Sequence, residues 1–266
     1  AGNDSVLFDS KTEATPLPDG SYGFTGRKIF TSLSPAWTRL GIFGKDASAR
    51  GGEGELVHGF IDRETPGYEI LSDWDTLGMR ASQSNTTVLE GAVVPPDRVF
   101  RKLPVGPNAD PLIFAIFACF ETLLAAVYTG IGERALDLGV ASVKRRTSFK
   151  NGGRSYAQDP DIRWKVAEAA MAMDALYPQL AAVASDVDSL ADHGGQWFPK
   201  LVGVKVRATE TARTVVDLAI RVSGGSSYFR GSELERLYRD VLKVDLDDPH
   251  LGLLTKAFNG GAYETR

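Results

Sequence analysis

The spacing of hydrophobic residues changes once along the chain, close to residue 110. Before that point, short apolar runs alternate with glycine, proline and polar turns, which is typical of β-strands. Asp19-Gly20 separates two such runs and predicts a β-hairpin. Further strands are predicted over residues 28–31, 38–43 and 56–61. Many short strands at this spacing indicate a β-barrel or a β-sandwich.

Residues 74–99 predict the last hairpin of this β region. Polar residues 82–85 supply turn chemistry between the apolar residues that follow Trp74 and those that begin at Val88. Pro95-Pro96 end the second strand, because proline cannot donate a hydrogen bond to a neighbouring strand. We interpret the stretch as a strand, a tight turn, a second strand and an exit loop at a sheet edge.

After residue 110 the hydrophobic period becomes helical. Helices are predicted over residues 111–149, 160–191, 199–223 and 233 to about 242. The second helix has apolar residues at helical spacing: Trp164, Ala167, Met171, Ala175 and Leu176. Alanine-rich helices with short breaks predict an antiparallel four-helix bundle.

Strands followed by helices place the chain in the α+β class with two domains. We predict a β domain over residues 1–105 and a helical bundle domain over residues 106–266.

Composition mainly excludes classes of function. The chain has 266 residues, 43% hydrophobic and 24% charged, which is ordinary for a soluble globular protein. A net charge of −4 gives no sign of a nucleic-acid-binding surface. The single cysteine, Cys119, cannot form an internal disulfide, so a reducing, cytoplasmic location is expected. With one cysteine and three histidines that lack ligand spacing, no metal site is expected.

The apolar run over residues 111–132 is long enough to cross a membrane. It carries Glu121 near its middle and continues directly into charged residues 133–137. A carboxylate in lipid is costly, so we expect a buried core helix and no membrane span.

Three segments could carry chemistry, and each also has a purely structural interpretation. Residues 30–34 combine one aromatic ring with three hydroxyls, which suits the wall and polar edge of a flavin site, or else only caps a turn. Arg146 lies in a cationic cluster that either complements a helix C-terminus or binds a diphosphate. Gly224-Gly225 either caps a helix or lets a cofactor approach the backbone.

The amino-acid sequences of these segments resemble motifs of the acyl-CoA dehydrogenase family. The matching stretches are G-R-K-I-F-T-S from Gly26, W-x-T-x-G-M-R-x-S-x-S from Trp74, R-x-x-F from Arg146, and residues 221–228 followed by E-R-L-Y-R-D-V from Glu235. The resemblance implies a flavin-binding middle β domain followed by the C-terminal helical bundle, with FAD as cofactor.

The resemblance also assigns residues to the cofactor. Phe30 would lie against the isoalloxazine ring, with Thr31 and Ser32 near its polar edge. At a subunit boundary, the FAD diphosphate would meet Arg146 and Phe149. The adenosine diphosphate half would meet three more residues: Arg221, Gly224 and Gly225. A cofactor shared between subunits implies a homodimer or homotetramer.

The chain departs from the family pattern in several places. The family commonly has threonine followed by asparagine where this chain has Ser32 followed by Leu33. Arg221 stands where the family has glutamine, and Ser227 where it has a third glycine. Residues 1–4 resemble the middle of a family strand, so the N-terminal helical domain is missing from this sequence. We expect either a fragment of a longer protein or a half that needs a partner. Residues 243–266 match no family segment.

The resemblance implies an FAD-dependent acyl-CoA dehydrogenase in lipid metabolism. It would carry out α,β-dehydrogenation of an acyl-CoA thioester and pass electrons to an electron-transfer flavoprotein. That reaction needs a carboxylate base, and the family's usual Y-E-G-T glutamate does not follow Asp240 at the expected distance. Glu121 is the candidate base, although alignment places Phe120 at the family's helix-borne position.

Two alternatives remain from the sequence. The first is a flavin-dependent monooxygenase on the same fold that takes reduced flavin from a flavin reductase, which the missing glutamate favours. The second is a non-catalytic subunit of that fold.

Overall fold

The computed structural model describes residues 7–242, so residues 1–4 and the tail 243–266 lie outside the described part of the chain. The chain divides into two compact units, Ala1–Phe114 and Ala115–Arg266. We call them the β unit and the helical unit. The predicted boundary after residue 105 lies a few residues before this division.

The described strands of the β unit form one mixed sheet. Their bounds are β1 Glu13–Pro16, β2 Tyr22–Lys28, β3 Arg39–Asp46, β4 Glu55–Asp62, β5 Tyr68–Ile70, β6 Thr87–Val94 and β7 Val99–Pro104. The spatial order is β5-β6-β2-β1-β3-β4-β7. Neighbours are antiparallel except β1 and β3, which meet in parallel at Glu13 and Lys45. The predicted Asp19-Gly20 hairpin is confirmed, with Gly20 at φ 86°.

The sheet curls so that strands distant in the sheet order pack face to face. Its core contains Ala14, Tyr22, Phe24, Ile42, Val57, Ile61, Leu89, Ala92 and Val94. A methyl group built on Gly59 of β4 would lie 2.6 Å from Cγ1 of Val94 on β6. Glycine therefore lets β4 and β6 approach across the core. The predicted α+β class, with the β region first, is confirmed.

The other face of the sheet carries a stack of aromatic and cationic groups. The His58 ring lies 5.2 Å from the Phe43 ring at an interplanar angle of 14°. The ammonium of Lys28 lies 4.3 Å from the same ring and donates to the Phe43 carbonyl oxygen. His58 is 3% exposed, and its Nε2 has no hydrogen-bond partner among the described residues. Burial, helped by the Lys28 charge, lowers the pKa of His58 to about 4.

Acid is therefore expected to weaken the β unit through His58. The unfolded chain binds a proton near the ordinary pKa of 6.5, whereas the folded chain binds it only near 4. Stability is thus full above pH 6.5 and falls as the pH drops towards 4, by about 3 kcal/mol for one histidine. Amide hydrogen exchange of β3 and β4 across this range measures the loss.

The matched variant is His58→Leu, which cannot take up the proton and should flatten the pH dependence. His193→Gln, in the helical unit, should leave the exchange profile of β3 and β4 unchanged. Equal acid sensitivity of His58→Leu and the unaltered chain would assign the effect to another group.

The prediction of a tight hairpin over residues 74–99 is wrong in its first half. The first strand is β5, which ends at Ile70, and residues 71–86 form a long connection before β6. Trp74 lies in this connection. Met79 and Gln83 have left-handed backbone conformations, at φ 52° and 44°, that no strand can contain. For the same reason β2 ends at Lys28, before Phe30 at φ 57°.

The described part of the helical unit is built from five α-helices, of which the first begins four residues before the division between the units. Their bounds are α1 Pro111–Arg145, α2 Pro160–Asp174, α3 Leu176–Asp188, α4 Trp197–Ser223 and α5 Glu233–Val241. The predicted helix 160–191 divides because Pro178 has no N–H and its ring crowds the carbonyl four residues earlier, at Asp174. The predicted end of the first helix at 149 is also wrong. Residues after Arg145 turn into a small hairpin of β8 Thr147–Ser148 and β9 Arg154–Ser155.

Small residues bring α1 and α4 into close contact. A methyl group on Gly132 would lie 3.2 Å from the Ala212 Cα, and one on Gly139 would lie 3.3 Å from the Ala219 Cβ. Both contacts have the same offset along the chain, so α1 and α4 run parallel. α2 and α3, which lie between them in the sequence, run in the opposite direction. Met173 lies beside Gly132 and Ala212, whereas Gln179, later on α3, accepts a hydrogen bond from the earlier Arg207 of α4 at 2.7 Å. The sequential up-and-down order agrees with the predicted bundle.

Among the described residues, α1 is long and apolar enough to cross a membrane by length and composition alone. Core helices of soluble proteins pass the same test, and Glu121 of α1 is fully buried inside the molecule.

Candidate functional site

Backbone strain in the β unit is concentrated in two neighbouring loops. Six described non-glycine residues have left-handed backbone conformations, and four of them lie here: Phe30, Leu33, Met79 and Gln83. Such conformations cost free energy and persist only where the surroundings enforce them, typically at functional sites. We call residues 29–34 and 79–85 the paired loops.

Backbone hydrogen bonds hold the paired loops against each other. The N–H of Leu33 donates to the Ser82 carbonyl at 2.8 Å, and that of Ser34 donates to the Gln83 carbonyl at 3.2 Å. The N–H of Thr31 donates to the Asn85 carbonyl at 3.3 Å. The strained residues are therefore fixed by pairing between segments that are distant in sequence.

The side chain of Asn85 fastens a third segment to the paired loops. Its Oδ1 accepts from the N–H groups of Asp73 and Trp74, at 3.1 and 3.0 Å. Its Nδ2 donates to the Ser34 hydroxyl at 2.8 Å. Hydrogen bonds from Thr86 to the Asp73 carboxylate lower the pKa of that group and hold the same segment. Asn85 is buried and is thus the central polar residue of this loop cluster.

The outer surface of the cluster is apolar with hydroxyls beside it. Phe30 is 42% and Leu33 60% exposed, and the rings of Phe30 and Trp74 meet in a T-shaped contact with centroids 6.0 Å apart. The exposed Ser32 hydroxyl shares a hydrogen bond with Ser84 at 2.9 Å. We call Phe30, Leu33 and Trp74 the apolar wall. Such a surface suits a flat heteroaromatic ring with polar edges.

Two of the predicted ring-binding residues, Phe30 and Ser32, lie at this surface, and the third points inward. The Thr31 hydroxyl is buried, donates to the Lys28 carbonyl and accepts from Thr87, both at 3.2 Å. Sequence reasoning missed Asn85, although its place at the end of a polar turn before a strand is a typical position for a residue that bonds loop backbone.

Arg146 joins the ends of two helices in the helical unit. Its Nη1 donates to the carbonyl oxygens of Ser223 and Val222, and its guanidinium stacks 4.7 Å from the Tyr156 ring. The C-terminal carbonyls of α4, which lack partners within the helix, are thereby capped by a cation. The predicted contact of Arg146 with a diphosphate would have to use its other N–H donors.

The other predicted residues of the helical unit lie on open surface near this cap. Phe149 is 99% exposed, and a methyl group built on Gly225 would have no atom within 4 Å. Arg221 forms an exposed ion pair with Asp217 at 2.7 Å. Gly224, at φ 70°, lies directly against the Arg146 guanidinium. The structure thus groups Arg146 with Gly224 and leaves the surface around Gly225 open.

Gly224→Ala is expected to destabilise the helical unit by about 2 kcal/mol. The left-handed backbone disfavours any side chain, and the new methyl group would lie 2.9 Å from Nη1 of Arg146. Thermal unfolding followed by circular dichroism measures the loss. Gly225→Ala, whose methyl group meets open space, is the matched control and should change stability by less than about 1 kcal/mol. Equal effects at both glycines would contradict the proposed role of the Arg146 contact.

The predicted base, Glu121, lies inside the helical unit. It is 0% exposed, and its Oε2 lies 3.9 Å from the ammonium of Lys205 on α4, which is 4% exposed. The same ammonium lies 5.5 Å from the Phe120 ring. Glu121 therefore belongs to a buried ion pair between α1 and α4.

A family model and several curated proteins are similar in sequence to this chain. Residues 122–245 match the family model "Acyl-CoA dehydrogenase, C-terminal domain". The chain is 30% identical over 245 residues to the amino sugar nitrososynthase RubN8 of Streptomyces rubradiris, covering 89% of this chain and 56% of that protein. It is 28% identical over 250 residues to a mitochondrial 2-methylacyl-CoA dehydrogenase of Solanum tuberosum, covering 92% and 56%. The chain thus spans a little over half the length of these relatives.

Solved structures share the same fold. The dibenzothiophene monooxygenase TdsC of Paenibacillus sp. A11-2, in complex with FMN and indole, superposes with a TM-score of 0.80 at 25% identity. The match covers 96% of this chain and 68% of the TdsC chain.

Proposed function

Since the chain belongs to the acyl-CoA dehydrogenase fold family, we propose that it is the flavin-binding part of an oxygen-using oxidoreductase, of the monooxygenase and nitrososynthase type. The substrate would be a small organic molecule and not an acyl-CoA thioester. The proposal concerns the activity of the whole protein, and it draws on relatives of which this chain spans a little over half the length.

The apolar wall of the β unit supports the flavin part of the proposal. Phe30 and Leu33 present exposed apolar surface that the strained paired loops hold in place, and Ser32 adds a hydroxyl at its border. A planar, partly polar ring would lie against this exposed surface with its polar edge towards Ser32. TdsC, which has the same fold, contains FMN, whereas the sequence resemblance implies FAD. Either flavin is therefore a candidate ligand.

A bound flavin supplies the redox chemistry, and the protein supplies binding, orientation and electrostatics. The apolar wall would bind one face of the ring and exclude water from it. The exposed Ser32 hydroxyl would orient a polar ring edge by donating or accepting a hydrogen bond. The buried Ser84 would hold it in place, because its hydroxyl is linked to those of Ser32 and Ser82 at 2.9 and 2.7 Å. Asn85 would keep these groups in place through its three hydrogen bonds.

The environment of Glu121 is the observation that favours oxygen chemistry over dehydrogenation. A dehydrogenase base must contact the α-proton of its substrate. Glu121 has no exposed surface and has the Lys205 ammonium 3.9 Å away, which is the environment of a structural ion pair. The sequence offers no glutamate at the family's other position after Asp240.

Acyl-CoA dehydrogenation is the second candidate function, because the family model and the 2-methylacyl-CoA dehydrogenase relative favour it. Glu121 would then be the base, and an electron-transfer flavoprotein would accept the electrons. The oxygen-using reading needs instead a flavin reductase as partner. Both readings would place the protein in a homodimer or homotetramer.

The test begins with flavin titration of the purified protein, using FAD and FMN separately and following visible absorbance. The loaded protein is then mixed anaerobically with acyl-CoA thioesters of several chain lengths. We expect a bound-flavin spectrum, no bleaching by any thioester, and oxygen consumption once a flavin reductase and a nicotinamide cofactor are added. Glu121→Gln, once circular dichroism confirms that the variant is folded, should leave that oxygen consumption unchanged.

Three other outcomes contradict the proposal in different ways. Anaerobic bleaching by a thioester, lost in Glu121→Gln, would establish the dehydrogenase reading. Bound flavin without either reaction would remove the activity and keep the cofactor. No flavin binding by this chain or by a longer form of the protein would favour a non-catalytic subunit.

A further inference from the structure

Leu33 combines two features that are unfavourable in a surface loop. Its backbone is left-handed, at φ 59°, and its side chain is 60% exposed. The left-handed conformation strains every residue that carries a large side chain, whereas glycine and asparagine adopt it readily. A buried leucine could offset that strain by packing, but an exposed one cannot. Folding of the free protein therefore does not explain a leucine at this position.

Main-chain groups hold the turn at Leu33. Its N–H donates to the Ser82 carbonyl at 2.8 Å, and its carbonyl oxygen accepts from the N–H groups of Ala36 and Trp37, at 2.8 and 3.2 Å. Glycine or asparagine at position 33 would make the same three hydrogen bonds with less strain. The turn therefore requires the backbone of residue 33 and not its side chain.

Leu190 is the other leucine with a left-handed backbone among residues 7–242, at φ 52°, and it is 81% exposed. It follows the end of α3 at Asp188, and its N–H donates to the Val187 carbonyl at 3.2 Å. Helices commonly end in a left-handed residue, so this conformation has a structural reason. None of the described residues before Leu33 is helical, so that reason does not apply to Leu33.

Three side chains of the first paired loop reach the outer surface: Phe30, Ser32 and Leu33. Thr31 between them is buried, and the exposed Ser32 hydroxyl is held by Ser84 at 2.9 Å. We propose that the Leu33 side chain covers the edge of the bound flavin ring next to Ser32 and keeps water from that edge. This inference rests on the proposed function, because it requires a flavin at the apolar wall.

Exclusion of water by Leu33 would strengthen binding in two ways. The ligand would bury apolar surface of Leu33 that is exposed in the free protein, and such burial is favourable. A hydrogen bond between the Ser32 hydroxyl and the ring edge would be stronger where water does not compete for it. Leu33 would thus lower the stability of the free protein and raise its affinity for the ring, a balance that is typical of functional sites.

The test measures stability and affinity on one variant, Leu33→Asn. Asparagine relieves the backbone strain, so the unfolding temperature of the flavin-free protein, followed by near-ultraviolet circular dichroism, should rise by about 2 °C or more. The flavin dissociation constant should rise about tenfold or more, because the apolar contact is lost. Iodide, a quencher dissolved in water, should reduce the fluorescence of the bound flavin more strongly than in the unaltered chain. Opposite changes in stability and affinity cannot come from partial unfolding.

Two further variants serve as controls. Leu33→Met keeps an apolar side chain and the strained backbone, so its flavin dissociation constant should stay within about threefold of that of the unaltered chain. Leu190→Asn makes the same substitution at the other left-handed leucine. It should raise the unfolding temperature of the helical unit by a similar amount and leave flavin affinity unchanged.

The remaining outcomes overturn the inference. Equal or tighter flavin binding by Leu33→Asn would show that the leucine side chain does not cover the ring, and the flavin proposal would stand. An unchanged or lower unfolding temperature of Leu33→Asn would show that the leucine does not reduce the stability of the free protein. Failure of both the unaltered chain and a longer form of the protein to bind flavin would remove the proposed function, and this inference with it.

Discussion

Replacing Asn85 with leucine is expected to destabilise the β unit by about 3 kcal/mol and to weaken flavin binding at least about tenfold. Leucine has a similar size but removes both acceptor bonds from the backbone of Asp73 and Trp74 and the donor bond to Ser34. The strained conformations of Phe30 and Leu33 then lose the pairing that enforces them. Denaturant unfolding and flavin titration measure the two effects on the same protein.

The control for Asn85 is Asn151→Leu, an identical change at an exposed position of the helical unit. It should alter stability by less than about 0.5 kcal/mol and leave flavin affinity unchanged. If Asn85→Leu lowers stability without affecting flavin, the paired loops do not form the flavin site. If it affects neither, the hydrogen bonds of Asn85 do not hold the loops.

Lys205→Met is expected to cost about 3–5 kcal/mol in the helical unit. Methionine fills the volume of the lysine but removes the ammonium that lies 3.9 Å from the Glu121 carboxylate, and Glu121 has no access to water. The remaining charge must then stay buried without that partner or take up a proton. Denaturant unfolding followed by the helical circular dichroism signal measures the loss.

The double variant Glu121→Met with Lys205→Met separates the ion pair from the packing around it. Because both charges are removed together, its stability should return to within about 1 kcal/mol of the unaltered chain. Additive losses in the double variant would show that each side chain acts through other contacts. A loss below about 1 kcal/mol in Lys205→Met alone would show that the pair is not energetically coupled.

Local sequence information predicted the elements that local forces determine. The Asp19-Gly20 turn, the strands near β3 and β4, and the change to helices near residue 110 all follow from alternation, turn residues and helical period. The connection 71–86 could not be predicted, because Met79 and Gln83 take left-handed conformations that only pairing with residues 31–34 enforces. Propensity alone would never place such residues there.

The candidate site was predictable to the extent that it rests on residue types. Residue types made residues 30–34 and the cationic cluster around Arg146 candidates, and the resemblance to the family selected Phe30 and Arg146 from them. Their actual contacts depend on distant segments: Arg146 meets the end of α4, and Glu121 meets Lys205. No periodicity of a single segment contains such pairings.

The two glycine contacts between α1 and α4 also determine how these helices can move. Gly132 and Gly139 receive Ala212 and Ala219 at two heights, and Glu121 meets Lys205 at a third. Sliding one helix along the other by four residues would bring a valine to one of the two glycines in either direction, Val216 to Gly132 or Val215 to Gly139. These contacts fix α1 and α4 in one register. We therefore expect α4 to move together with α1 in any displacement that accompanies ligand binding.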